Sequence, residues 1–133
     1  MSNPDKDSVY AYATTPDPLL KVMPQLIEGT NRVLVSHGDF DGFIPFNGTL
    51  LAIQNMTWNG ALGYQTAPSE EFIVPIPRKD ALFTGPQGYM GIQHYERGLQ
   101  WVLTRQAGHE LPLYQPKAAW RHLEWMLGRI ETL

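Results

Sequence analysis

The sequence predicts an α/β fold, and two observations carry that expectation. Residues 18–38 join a helical apolar pattern to a tight turn and a short β-branched run. Helix, turn and buried strand in succession make the working unit of an α/β sheet. Further on, two apolar stretches joined by Arg97-Gly98 read as paired strands and lead into a closing amphipathic helix. With 133 residues the chain has room for about one domain, and no repeat or low-complexity tract divides it.

The elements follow in order. Residues 1–17 are polar, short of large aliphatics, and form an amino-terminal segment ahead of the domain at 18–133. Asp17 suits a helix N-cap and Pro18 the first helical position. Leu19, Leu20, Val22, Met23, Leu26 and Ile27 recur at helical spacing, so a helix is predicted over 18–28, with Pro24 inside it and Gly29 as its stop. Arg32 to Ser36 is predicted as a strand buried on both faces and closed by Gly38. A loop at 37–46 precedes a second helix around Leu50–Gln54, and Trp58-Asn59-Gly60 marks a turn. From 60 to 91 Gly and Pro recur, which predicts an irregular excursion with one short strand at Phe72-Ile73-Val74. Strands at 91–96 and 99–104 come next. Ala118, Ala119, Leu123, Met126, Leu127 and Ile130 are expected to line the core face of the closing helix, leaving His122 solvated. His94, in an apolar strand, reads as a bonded, partly buried group.

Composition narrows the function. Ten Lys and Arg against thirteen Asp and Glu leave a formal net charge of −3, without the basic surface that nucleic acid as a main partner demands. No apolar run approaches the roughly 20 residues of a membrane span. The absence of cysteine excludes disulfides, thiolate metal sites and Cys nucleophiles. The first residues lack the layout of a secretory signal. Two Asn-x-Thr sequons, at Asn47 and Asn55, point the other way, towards the secretory route.

Two loops hold the residues that can carry chemistry, and each follows a predicted strand. His37-Gly38-Asp39-Phe40-Asp41 lies where functional side chains gather in open α/β sheets, beyond the carboxyl ends of strands. Taken alone it reads equally well as a turn whose carboxylates satisfy backbone donors. A metal site on His37, Asp39 and Asp41 is the weaker reading, and none is assigned. Gln106-Ala107-Gly108-His109-Glu110-Leu111-Pro112 places an imidazole after small residues, between the last strand and the closing helix. In the α/β-hydrolase arrangement the triad runs nucleophile, acid, histidine along the chain, with the acid after a late strand and the histidine after the last. Asp41 and His109 stand in that order and in those contexts.

The motifs then match one family closely. Gly38-Asp39-Phe40-Asp41, Asn47-Gly48-Thr49-Leu50, Ile53 to Gly60, Glu96 to Leu99, Gly108-His109-Glu110-Leu111-Pro112 and Leu123 to Ile130 resemble the carboxy-terminal part of a fungal-type serine carboxypeptidase, from about residue 18 to 133. The resemblance implies an incomplete α/β-hydrolase sheet, Asp41 as triad acid and His109 as triad base. It also implies a peptide substrate cut at its carboxy-terminal end, no cofactor, and a secreted or vacuolar location with glycans at Asn47 and Asn55. Phe43 and Phe46 are expected to line the substrate pocket, and Glu110 to modulate the imidazole beside it. The departures are equally specific. Ser2, Ser8, Ser36 and Ser69 are the only serines, and none sits in a Gly-x-Ser-x-Gly elbow. The nucleophile is therefore expected on an amino-terminal segment or chain that acts as partner, and the open sheet edge is expected to pair with it. Two rival functions are a non-catalytic truncated interaction module and an esterase or acyltransferase on the same scaffold.

Overall fold

A computed structural model describes residues 17–76 and 86–133. The polar segment expected at 1–17 therefore lies, but for Asp17, outside the described residues, as do residues 77–85 of the expected irregular stretch.

Helix α1 (Pro18–Thr30) opens as its sequence predicts, with Asp17 Oδ1 accepting the Leu19 amide at 2.9 Å and Pro18 in the first turn. It passes through Gly29 and stops two residues later than expected. Asn31 takes the left-handed conformation at φ 52° and returns its amide to the Ile27 carbonyl at 2.8 Å. Asparagine tolerates that conformation, so glycine is not needed for the stop.

Strand β1 (Val33–Gly38) leads to helix α2 (Phe46–Gln54), which starts earlier than its predicted apolar stretch. Strands β2 (Thr57–Trp58) and β3 (Ala61–Leu62) form a hairpin around the expected Asn59-Gly60 turn. Then come β4 (Glu70–Val74), β5 (Gly88–Glu96), β6 (Leu99–Thr104), a single-turn helix α3 (Leu111–Tyr114) and α4 (Pro116–Met126). Arg97 and Gly98, at φ 52° and 89°, make the tight β5–β6 connection, whose matching twist needs positive φ at both positions.

The main sheet has four strands in the order β1-β6-β5-β4. Its β1–β6 pair is parallel and the other pairs are antiparallel. The alternating side chains divide into two cores. Val33 and Val35 of β1 with Leu99, Trp101 and Leu103 of β6 face α1 and α2, where Ile27, Ile53 and Met56 are fully buried. Leu34 and Val102 face the other way, towards Ala118 and Trp125 of α4.

Two expectations are corrected here. Strand β1 is not buried on both faces: it borders the sheet, Val33 to Val35 are half-buried and Ser36 is exposed. On α4 the buried residues are Ala118, His122 and Trp125, while Leu123, Met126 and Leu127 are exposed. His122 is thus a core residue. Its ring packs 5.1 Å from that of Phe72, and burial together with the Arg121 charge lowers its pKa to about 4.

Candidate active site

The parallel pairing of β1 with β6 sets Gly38 opposite Thr104, so the loops carrying Asp41 and His109 leave the same end of neighbouring strands. They touch at once. A Cβ on Gly38 would fall 2.2 Å from the Ala107 carbonyl oxygen, which only a residue without a side chain permits. Beyond that contact the Asp39 amide donates to the Thr104 carbonyl at 3.0 Å and the Phe40 amide to the Ala107 carbonyl at 2.9 Å.

Asp41 and His109 meet in this setting, with Nδ1 of the ring 3.0 Å from Oδ2 of the carboxylate. The other carboxylate oxygen accepts the amides of Phe43 at 2.9 Å and Ile44 at 3.0 Å. The Ile44 amide is the largest influence holding Asp41 below the usual carboxylate range, with the His109 ring and the Phe43 amide adding to it against the effect of desolvation. Asp41 is thereby fixed as an anion with one oxygen committed to one ring. Only 6% of its side chain is exposed, against 50% for His109. An imidazole that gives its Nδ1 proton to a carboxylate leaves Nε2 free to accept a proton from a hydroxyl.

The exposed side of the ring opens on a cleft of about 540 Å³ lined by Phe40, Gly42, Phe43, Gly108, His109, Glu110 and Tyr114. Phe43 stands 5.5 Å from the His109 ring, centroid to centroid, and is 85% exposed. Phe46 is not in this cleft. It begins α2 and packs in the core 6.4 Å from Trp101, because the helix it starts lies over the sheet. Glu110 lines the cleft, but among the described residues the only ionic partner of His109 is Asp41. Its backbone carbonyl instead accepts the Leu113 amide at 2.9 Å.

His37, at the end of β1, is 8% exposed with Nε2 unpartnered, and burial lowers its pKa even though the Asp41 charge opposes that. Among the described residues no three His, Asp or Glu side chains converge as a metal-ligand set. Both sequon asparagines are exposed, Asn47 in the first turn of α2 and Asn55 at its end, where Nδ2 donates to the Leu51 carbonyl at 3.0 Å. Sequence reasoning missed Tyr114 as a cleft residue, since nothing in Leu111 to Tyr114 marks a single helical turn folding back on Gly108.

The serine carboxypeptidase family model matches residues 3–129. The chain is 54% identical over 128 residues to serine-type carboxypeptidase F of Aspergillus niger, an alignment covering 88% of this chain and 24% of that protein. It is 48% identical over 111 residues to a carboxypeptidase Y homolog of Arthroderma benhamiae, covering 84% and 22%. The chain thus spans under a quarter of the length of these curated relatives. In the crystal structure of a prohormone-processing carboxypeptidase from Saccharomyces cerevisiae, 22% of that chain superposes on 83% of this one with a TM-score of 0.65 at 21% identity, a likeness of fold. By its family match and its fungal relatives, the chain belongs to the serine carboxypeptidase family.

Proposed function

We propose that this chain supplies the acid and the base of a serine-type carboxypeptidase that hydrolyses residues from the carboxy-terminal ends of peptides. One observation carries the reading: a buried carboxylate bonded to Nδ1 of a half-exposed imidazole, at the ends of two parallel strands and facing a cleft. His109 takes the proton of a serine hydroxyl through Nε2 and later returns it to the leaving amine. Asp41 holds the ring's tautomer and stabilises the imidazolium. Phe43, Glu110 and Tyr114 form one wall of the substrate site. The hydroxyl comes from a segment that is not among these 133 residues, because no Gly-x-Ser-x-Gly elbow occurs in them. The border strand β1, whose outer edge no strand pairs among the described residues, is where that segment adds itself. A secreted or vacuolar location and glycans at the exposed Asn47 and Asn55 go with the reading.

A fluorophosphonate probe tests it. Co-expressed with the serine-bearing segment of the Aspergillus niger relative, the chain is expected to support labelling of that segment's elbow serine, and His109→Ala to abolish it. Labelling of the isolated chain at one of its own serines, or labelling that survives His109→Ala, overturns the proposal.

A further inference from the structure

We infer that Asp39 is a positioning residue whose side chain fastens the His109 loop to the Asp41 loop; this rests on the reading of Asp41 and His109 as an acid–base pair. Besides the His109–Asp41 bond itself, three hydrogen bonds among the described residues join the two loops beyond the last strand pairing. Two of them, Asp39 N–H to Thr104 and Phe40 N–H to Ala107, are main-chain bonds that any residue makes. The third is specific: Oδ1 of Asp39 accepts the Ala107 amide at 3.3 Å.

The amide it accepts has few alternatives. Ala107 is fully buried, so an amide losing this partner faces desolvation without water to replace it. The residue before it, Gln106, sits at φ 55°, a left-handed conformation that an ordinary side chain holds only where its surroundings impose it. The Gln106 carbonyl is held separately by Gln115 Nε2 at 3.1 Å, and Ala107 is pinned from the other side by the Gly38 backbone. His109 follows two residues later. With Nδ1 only 3.0 Å from its acceptor, a shift of about 1 Å at Ala107 passed along the chain takes the ring out of hydrogen-bonding range. The bonds of Asp39 go to the Ala107 loop and not to the ring, so its effect reaches His109 through the backbone.

An acceptor oxygen at 39 is all this role requires, so asparagine should serve and alanine should not. The test uses the 133-residue chain labelled with ¹⁵N and followed by NMR, reading the His109 Nδ1–H resonance and hydrogen exchange at the Ala107 amide. Asp39→Ala is expected to lose the His109 resonance and to speed Ala107 exchange by roughly tenfold or more, while Asp39→Asn keeps both. Asp41→Asn should change the His109 resonance and leave Ala107 protected. Should Asp39→Ala fail to fold, Asp39→Asn decides alone, and loss of the His109 resonance in it overturns the inference. A wild-type resonance that persists in folded Asp39→Ala overturns the role of Asp39 only. A wild-type chain with no bonded Nδ1–H at His109 overturns the acid–base pair itself, and the inference with it.

Discussion

The described residues hold two histidine–carboxylate contacts of almost equal length, His109–Asp41 at 3.0 Å and His94–Glu96 at 3.2 Å. In the first the carboxylate is hidden and the ring half-exposed. In the second both are enclosed, with 7% of the His94 side chain and 18% of that of Glu96 accessible. Glu96 also receives the Arg97 guanidinium at 2.9 Å and the Gln65 amide at 3.0 Å. Burial pulls Glu96 upward, but His94, Gln65 and Arg97 more than offset it and leave its carboxyl below the usual range. The Tyr64 ring meets the His94 ring edge-on at 4.7 Å, and burial raises the phenol well above its ordinary value. Arg97 in turn lies 4.1 Å over Trp58 and donates to the Trp58 and Gly63 carbonyls. The difference teaches that a short contact between these residue types has no fixed meaning. An accessible second nitrogen and a carboxylate committed to one ring suit proton transfer; a saturated carboxylate behind aromatic walls suits cohesion.

The largest expected effect separates the two pairs by rate. In the enzyme completed with its serine-bearing segment, His109→Ala should lower kcat by about 10⁴-fold or more, whereas His94→Gln should leave it within about threefold. Steady-state hydrolysis of a blocked dipeptide measures both, and comparable losses would erase the distinction.

A third histidine sharpens the comparison, for His122 is buried with no carboxylate bonded to it among the described residues. Its folded pKa of about 4 lies below the ordinary 6.5, so the unfolded chain takes up a proton that the folded one resists. The His122 contribution to stability should therefore hold above pH 6.5, fall as pH drops from 6.5 to about 4, and change little below. The lowering corresponds to a loss on the order of 3 kcal/mol. Urea unfolding of the chain against pH, beside His122→Phe, reads it: the variant's curve should be flatter over that window, and parallel curves would refute it.

A smaller effect concerns cohesion alone. Arg97→Ala, which strips the enclosed pair of a charge partner and Trp58 of its stacked cation, should cost about 2 kcal/mol in urea unfolding. His109→Ala should stay within about 0.5 kcal/mol. Equal costs would mean that the exposed pair is as structural as the enclosed one.

Much of this was legible in the sequence because the informative residues sit at element ends. Asp17-Pro18 marked the start of α1, Arg97-Gly98 the β5–β6 turn, and the Gly-Asp and Gly-His motifs two strand ends that the fold makes neighbours. His94 was expected to be bonded and partly buried; it is bonded, and more deeply buried than that. The closing helix misled for a physical reason. Its core face runs Ala118, His122, Trp125, a helical stripe containing an imidazole and an indole that hydropathy ranks poorly, while Leu123, Met126 and Leu127 share the other side. Phe46 misled because one apolar residue after a loop suits a pocket wall and a helix start equally. The tie between Asp39 and Ala107 was legible only as a generic preference of loop aspartates for backbone donors, since its partner lies far along the chain.

The placement of β1 has a final consequence. The strand that delivers Asp41 is also the margin of the main sheet, so whatever docks there arrives a few residues from the acid. On the proposed reading, assembly and switching on become a single event: the acid–base pair lacks a nucleophile in the lone polypeptide and gains a serine hydroxyl at the moment the sheet is extended. Such a division would keep a peptide-cutting activity silent until its parts meet.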